Sequence, residues 1–203
     1  MISIYDLKPR FQNLLRPICQ KLAASGVTAN QVTILALVVS VLHGIGLAGW
    51  PGNTALLLLL PVTLFVRMAL NAIDGMLARE HGQKSRLGAI LNELSDVIAD
   101  VALYLPFALI AGLSAPLVTI VVLLAVIVEM TGILGLMVGA ERRYDGPFGK
   151  SDRAFVFGTL AVAITTGFVS PTLATVLLVV IIALSCLTIF NRARMALSAG
   201  ASQ

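Results

Sequence analysis

The sequence predicts an all-α membrane protein with six transmembrane helices, and three observations carry this prediction. Of its 203 residues, 58% are hydrophobic and only 12% are charged, which is too apolar a composition for a soluble domain. Nearly every apolar run is long enough to cross a hydrocarbon layer of roughly 30 Å, which takes about 20 residues. Lys and Arg lie mainly in alternate connections between these runs. We therefore expect a single, almost entirely helical domain.

The expected elements follow the apolar runs and the turn signals between them. Residues 3–25 alternate apolar and basic side chains, a pattern typical both of an amphipathic helix in the membrane interface and of a positive flank before a first span. Residues 1–30 thus form a juxtamembrane segment, residues 31–191 a six-helix bundle and residues 192–203 a tail, with disorder expected from Ser198 to Gln203. The six spans are predicted, within a few residues at each end, at 31–50, 54–79, 87–113, 115–140, 153–170 and 171–191.

The distribution of cations predicts the orientation in the membrane. The N-terminal arm, the 79–86 and 142–153 connections and the C-terminus hold 13 of the 14 Lys and Arg residues. Short cationic loops stay in the cytoplasm, so both termini are predicted to be cytoplasmic. Scattered loop cations also explain the net charge of +4 without a nucleic-acid partner. The remaining cation, Arg67, either extends toward the membrane surface or lies near acidic residues.

Polar residues on the second and third spans predict a metal site. Ionisable groups at membrane depth are costly, so by default they mark a function. With about 100° per residue in a helix, Asn71 and Asp74 share one face of the second span, and Asn92, Asp96 and Asp100 follow one stripe of the third. If the two stripes face each other, they form an oxygen-lined site suited to a divalent cation.

These residues belong to a longer pattern, N-x2-D-G-x2-A-R-x8-G-x3-N-x3-D, which runs from Asn71 to Asp96. The pattern resembles the signature of the CDP-alcohol phosphotransferase family, D-x2-D-G-x2-A-R-x8-G-x3-D-x3-D, with the same spacing throughout. The segment from Thr28 to Thr33 resembles the start of that family's first span. Together with the six-span layout, this extends the resemblance over most of the chain.

The resemblance implies an enzyme of phospholipid biosynthesis. Such an enzyme transfers a phosphatidyl-type group from a CDP-linked lipid, CDP-diacylglycerol, to an alcohol and releases CMP at the cytoplasmic side of a bacterial inner membrane. It implies a homodimer, surrounded by membrane lipids, with one or two Mg²⁺ or Mn²⁺ ions. The implied metal ligands are Asn71, Asp74, Asn92 and Asp96, and Asp96 is also the candidate base for the acceptor hydroxyl.

The family also implies a binding site for the cytidine diphosphate around the signature glycines. Without side chains, Gly75 and Gly88 let the nucleotide approach closely, although close helix packing through small residues would also place glycines there. The implied CDP or phosphate contacts are Asn30, Gly75, Ala78, Arg79 and Gly88.

Two positions depart from the family signature. Asn71 and Asn92 stand where the family has Asp, and an amide oxygen can ligate a cation but brings no charge. The four signature positions therefore carry two negative charges instead of four. This difference has three possible meanings: a weaker metal site, another residue that supplies the missing charge, or lost activity. On a helical wheel Glu93 lies roughly 60° from Asp96 and roughly 20° from Asp100. We hypothesise that Glu93 or Asp100 supplies the missing charge; a Glu93 that faces an aqueous cavity or an Arg fits the sequence equally well.

Cations near the cytoplasmic ends of the later spans predict an acceptor site. A cationic cluster there would bind a phosphorylated acceptor such as glycerol 3-phosphate or inositol phosphate, although membrane topology and attraction to anionic lipids explain any one of these residues as well. Glu129, within the fourth span, has no charged residue within a turn, so it must face a cavity or a partner. The candidate acceptor-binding residues are Arg143, Lys150, Arg153 and Arg192.

Two other functions are compatible with this sequence. A catalytically weakened relative that binds CDP-lipid or metal without turnover would explain Asn71 and Asn92. A small transporter would also use intramembrane carboxylates, but it does not require Gly75, Arg79 and Gly88 at these spacings, and no paired halves are visible. Release of CMP from CDP-diacylglycerol separates the enzyme from both alternatives.

Overall fold

The computed structural model describes residues 4–200, and all of their regular secondary structure is helical, as predicted. Two short 3₁₀ segments, Leu105–Leu109 and Gly135–Val138, continue the fourth and fifth α-helices. The α-helices in this part of the chain are α1 Ile4–Ala24, α2 Ala29–Gly49, α3 Thr54–Glu80, α4 Arg86–Tyr104, α5 Ala115–Leu134, α6 Lys150–Thr165 and α7 Pro171–Gly200.

Four helical segments within the described residues are long and apolar enough to cross a membrane, so the chain is a helical membrane protein. They are α2, α3, α5 with its 3₁₀ continuation, and α7. Helix α4 has only 19 residues and carries Arg86, Glu93, Asp96 and Asp100, and α6 has only 16 residues. Six spans with two cytoplasmic termini therefore stay a prediction.

Proline and glycine shorten two helices relative to the predicted spans. Helix α4 ends at Tyr104 and not near residue 113, because Pro106 at the start of the 3₁₀ segment has no N–H to continue the α-helical hydrogen bonds. The fifth helix tightens to a 3₁₀ segment at Gly135 and ends before residue 140, since Gly139 adopts a left-handed φ of +79°.

The last two helices are displaced from the predicted spans. Helix α6 begins at Lys150, three residues early, because the backbone N–H of Gly149 donates to Asp152 Oδ2 at 2.8 Å and caps the helix. It ends at Thr165, just before Gly167 with its left-handed φ of +72°. Helix α7 continues to Gly200, so the expectation of a tail from residue 192 is wrong for residues 192–200; residues 201–203 lie outside the described part.

The described residues form two compact units, although the sequence predicts a single domain. The first unit contains residues 4–42 and 62–99, and the second contains residues 43–61 and 100–200. The three boundaries fall inside α2, α3 and α4, so no linker separates the units along the chain.

The core of the first unit joins α1 to the beginning of α2 and the end of α3. Leu15 and Cys19 of α1 lie against Ala29 and Val32 of α2 and against Ile73, Met76 and Leu77 of α3. Phe11 of α1 also meets Phe65 of α3 edge-on, with 5.9 Å between the ring centroids. The predicted N-terminal helix is thus confirmed as a helix, and one of its faces holds the N-terminus of α2 beside the C-terminus of α3.

The core of the second unit centres on α5 and α7, which pack along each other. Val118, Val121 and Val128 of α5 and Leu178 and Ile181 of α7 are buried in it. The ring of Phe157 on α6 stacks on Tyr104 and meets Phe107 edge-on, at centroid distances of 4.2 and 5.1 Å. This packing places the charged end of α6 within the same unit.

Candidate active site

A cavity of about 680 Å³ lies in the first unit, where the start of α2, the end of α3 and the start of α4 meet. It brings together most residues of the predicted site, both from the signature pattern and from the segment before it. Asp96 and Glu93 are not among the residues that line it. The lining residues from the predicted site are Asn30, Asn71, Asp74, Gly75, Ala78, Arg79, Gly88 and Asn92.

The N-terminus of α2 is held in the cavity wall by Gln83, a residue of the α3–α4 connection. The side-chain Oε1 of Gln83 accepts the backbone N–H of Ala29 at 2.6 Å, and its Nε2 donates to the carbonyl of Val27 at 3.3 Å. These bonds satisfy one of the N–H groups that a helix N-terminus leaves without an intrahelical partner. Sequence reasoning missed Gln83, because a side chain that caps a helix 54 positions away leaves no local signal.

Asp74 is oriented by a hydroxyl from α2. It is 5% exposed, and its Oδ2 accepts a hydrogen bond from the Thr33 hydroxyl at 2.7 Å. Thr33 lies one turn after Asn30, and both side chains line the cavity. The segment that resembles the family's first span thus supplies a direct contact to the signature carboxylate.

Asp96 is held by two nitrogen donors from α3. Its Oδ1 accepts from Asn71 Nδ2 at 3.0 Å, and Arg67 Nη2 lies 3.4 Å from the same oxygen and 2.9 Å from the Asp96 carbonyl oxygen. Arg67 is 3% exposed. Of the two positions that the sequence allows for Arg67, the structure shows the one beside the acidic residues.

The two signature glycines make room for polar side chains. A Cβ at Gly75 would lie 2.9 Å from Arg79 Nη2, and a Cβ at Gly88 would lie 2.8 Å from Asn30 Oδ1 and 2.9 Å from Ser85 Oγ. These distances are too short for a methyl group, so the glycines let Arg79 and Asn30 lie against the helix surfaces. The space over each glycine is therefore taken by a polar side chain and not by the backbone of another helix, and a role of the glycines in ligand binding stays a prediction.

The two candidates for a replacement charge differ in their surroundings. Asp100 belongs to the second unit, and its Oδ2 accepts from Arg153 Nε at 3.0 Å and from Arg153 Nη2 at 2.8 Å. Glu93 is half-buried in the first unit. Within residues 4–200, no group of three or more His, Cys, Asp or Glu is arranged to hold a metal ion.

The second unit contains a buried ionic cluster, in which Glu129 forms ion pairs with three arginines. Its Oε1 lies 2.8 Å from Arg153 Nη2, and its Oε2 lies 3.1 Å from Arg142 Nη2 and 3.5 Å from Arg192 Nη1. Of the two surroundings that the sequence allows for Glu129, a cavity or a partner, the structure shows charged partners. Arg153 is 1% exposed, and its Nη1 is buried without a hydrogen-bond partner in the described part of the chain.

The other two candidate acceptor residues are Arg143 and Lys150. Arg143 donates from Nε to Asp145 Oδ2 at 2.8 Å and from Nη2 to Oδ1 at 3.0 Å. These two hydrogen bonds hold the pKa of the Asp145 carboxyl below its ordinary value. Lys150 is the first residue of α6.

Sequence comparisons relate this chain to a family and to known proteins. A family model described as CDP-alcohol phosphatidyltransferase matches residues 26–201. "Inner membrane protein YnbA" of Escherichia coli (strain K12) is 51% identical over 165 residues, which cover 80% of this chain and 82% of that protein. "Archaetidylinositol phosphate synthase" of Pyrococcus horikoshii is 30% identical over 103 residues, which cover 51% of this chain and 52% of that protein.

Solved structures of one enzyme share the fold. Phosphatidylinositol phosphate synthase of Mycobacterium tuberculosis, crystallised with manganese and citrate, has a TM-score of 0.73 over 89% of this chain and 87% of its own, at 22% identity. The same enzyme with CDP-DAG bound has a TM-score of 0.74 over 89% of this chain and 92% of its own, also at 22% identity. With a family model that matches nearly all of the described residues, the chain belongs to the CDP-alcohol phosphatidyltransferase family.

Proposed function

We propose that this protein is a bacterial inner-membrane enzyme that transfers a phosphatidyl-type group from CDP-diacylglycerol to an alcohol and releases CMP, in phospholipid biosynthesis. The observation that carries the proposal is the 680 Å³ cavity, in which the signature residues converge from α2, α3 and α4. Family membership and a fold shared with an enzyme crystallised with CDP-DAG support it, and a relative named as an inner membrane protein supports the location.

The cavity wall offers the contacts that a cytidine diphosphate needs. Arg79, Lys84 and Arg86 line it with three cations, and guanidinium groups bind phosphate oxygens by paired hydrogen bonds. Gly75 and Gly88 leave space beside Arg79 and Asn30. We assign the CDP or phosphate contacts to Asn30, Gly75, Ala78, Arg79 and Gly88.

The donor set fits a hard divalent cation. The carboxylate of Asp74 and the amide oxygens of Asn71 and Asn92 lie in one cavity, and oxygen ligands suit Mg²⁺ or Mn²⁺. When bound, such an ion would neutralise the pyrophosphate of the donor lipid. Glu93 and Asp96 neighbour this set on α4, and the M. tuberculosis enzyme was crystallised with manganese.

Asp96 is the proposed base for the acceptor hydroxyl. Its hydrogen bonds from Asn71 and Arg67 fix the orientation of the carboxylate, as a general base requires. In the proposed step, the acceptor oxygen bonds to the phosphorus that carries the diacylglycerol. The bond from this phosphorus to the bridging oxygen of CMP breaks, and the hydroxyl proton passes to Asp96.

The ionic cluster of the second unit supports a phosphorylated acceptor. Three guanidinium groups share two carboxylates, Glu129 and Asp100, which leaves one positive charge in excess. The buried Nη1 of Arg153 is a donor that a phosphate oxygen would satisfy. We assign the acceptor contacts to Arg143, Lys150, Arg153 and Arg192, in a homodimer whose active sites face the cytoplasm.

Release of CMP tests the proposal. Purified protein with CDP-diacylglycerol, Mg²⁺ or Mn²⁺ and a panel of alcohols with and without phosphate should release CMP, fastest with a phosphorylated alcohol. Asp74→Asn and Asp96→Asn should each abolish the release, whereas Glu141→Gln, an exposed carboxylate of the second unit, should retain it. Binding of CDP-diacylglycerol without CMP release, whichever acceptor is present, would favour the catalytically weakened relative that Asn71 and Asn92 allow.

A further inference from the structure

We propose that Arg67 is a built-in cation that takes the place of a second divalent ion, so that this chain binds one metal ion and not two. The inference rests on the metal site of the proposed function and specifies its charge. Arg67 acts through Asp96 and is therefore a positioning residue.

The charge of the site does not fit two divalent ions. The family signature has four carboxylates, and two ions in such centres lie roughly 3.5–4 Å apart. In this chain the four positions hold two carboxylates, Asp74 and Asp96, and the Arg67 guanidinium reaches one of them. The four signature positions and Arg67 thus have a formal charge of −1 before any ion binds, because two carboxylates and one guanidinium contribute. A second divalent ion would be repelled by Arg67 and by the first ion. Of the two residues considered as a replacement charge, Asp100 is paired with Arg153, so Glu93 alone would have to offset this repulsion.

The Arg67 guanidinium lies beside Asp96 Oδ1, the carboxylate oxygen that a second ion would need as a ligand. Arg67 Nη2 and Asn71 Nδ2 both direct N–H groups at Asp96 Oδ1, at 3.4 and 3.0 Å. An ion bound to this oxygen would share it with two N–H donors and would lie beside the positive guanidinium. Arg67 also donates to the Asp96 carbonyl at 2.9 Å and is buried, so its charge lies inside the protein beside Asp96.

The amide at position 71 fits this arrangement. An Asp there would oppose Asp96 with a like charge, whereas Asn71 donates a hydrogen bond to Asp96. Arg67 and Asn71 are one turn apart on α3, so a single helix face supplies both donors. Asp74 lines the cavity together with Asn71 and Asn92, and its Oδ2 accepts a hydrogen bond from the Thr33 hydroxyl. We assign the single ion to Asp74.

Metal stoichiometry tests the inference on the purified full-length protein. Equilibrium dialysis against Mn²⁺ followed by elemental analysis gives the ions per chain, and the electron paramagnetic resonance spectrum shows whether two Mn²⁺ ions are coupled. The wild type is expected to bind one uncoupled Mn²⁺. Asn71→Asp with Asn92→Asp is expected to bind one as well, because Arg67 remains. Adding Arg67→Gln to this pair should raise the stoichiometry to two.

Each outcome decides the inference. Two coupled ions in the wild type, or in the variant that retains Arg67, would overturn the role of Arg67, and so would no ion in the wild type. If the triple variant does not fold, these two measurements still decide. Arg16→Gln is the matched control and should leave one ion, because Arg16 is a half-exposed arginine of the same unit that pairs with Glu80. The dialysis contains no lipid donor and no acceptor, so the metal stoichiometry is measured without turnover. A wild type that binds one ion but releases no CMP in the activity assay would therefore contradict the proposed function and not this inference.

Discussion

Replacing Glu129 with Gln removes the carboxylate that three arginines share in the second unit. In the wild type, Glu129 lies within 3.5 Å of Arg142, Arg153 and Arg192. The amide keeps the shape but not the charge. Arg153 then keeps its ion pair with Asp100, and Arg192 keeps its hydrogen bonds to the backbone carbonyls of Val128 and Asp145. Breaking a buried ion pair by removing one partner costs roughly 3–5 kcal/mol, because a charge is left buried and uncompensated.

The expected loss is large enough to measure in a detergent-solubilised protein. For chains of this size, 1 kcal/mol corresponds to about 2–4 °C in Tm, so Glu129→Gln should lower Tm by about 6–20 °C. The assay is the thermal loss of helical circular dichroism at 222 nm. Glu141→Gln is the matched control, since Glu141 is exposed in the same unit and surface substitutions usually change stability by less than about 0.5 kcal/mol. A Glu129→Gln protein that melts within about 2 °C of the wild type would refute the reasoning.

Three further substitutions test the site and one surface pair. Gly88→Ala places a methyl group 2.8 Å from Asn30 Oδ1. The Kd for CDP, measured by calorimetry, should therefore rise roughly tenfold, which corresponds to about 1.4 kcal/mol. Gly49→Ala is the control: a Cβ there has nothing within 4 Å, so the Kd should not change. Thr33→Val removes the hydroxyl 2.7 Å from Asp74 and should destabilise the fold by about 1–3 kcal/mol in chemical denaturation; an unchanged midpoint would contradict this. Because the pKa of Asp145 is lowered, the pairing stabilises the fold above the ordinary pKa of this carboxyl, and the stabilisation is lost as pH falls through the lowered pKa. Asp145→Asn should therefore lower the free energy of unfolding by at most about 1 kcal/mol at pH 7 and leave it unchanged near pH 2. A loss of stability that does not shrink with acid would contradict the pairing.

Features that depend on local sequence were predicted well. The long apolar runs of α2, α3, α5 and α7 require helices at membrane depth, because a helix satisfies its own backbone hydrogen bonds there. The spacing of the signature likewise places Asn71, Asp74, Gly88 and Asn92 toward one region, and the structure brings them to one cavity.

Features that depend on distant partners were not predictable from the sequence. The sequence allows two positions for Arg67, and what distinguishes them is a hydrogen bond to Asp96, 29 residues away. The expectation for the end of α7 failed for the same reason. Arg192 reaches the carbonyl of Val128 at 2.6 Å, and Ala196 is buried. Tertiary contacts therefore keep a polar, mixed sequence helical beyond the apolar run.

The bonds from Gln83 to α2 explain why the spacing inside the signature should be rigid. Eight residues separate Arg79 from Gly88, and within them Gln83 must reach both Val27 and Ala29. One residue more or less would move this side chain away from the helix that it caps, while Gly88 would lose its register with Asn30. Relatives are therefore expected to accumulate insertions in other connections, such as the one between α6 and α7, and to keep this connection at one length.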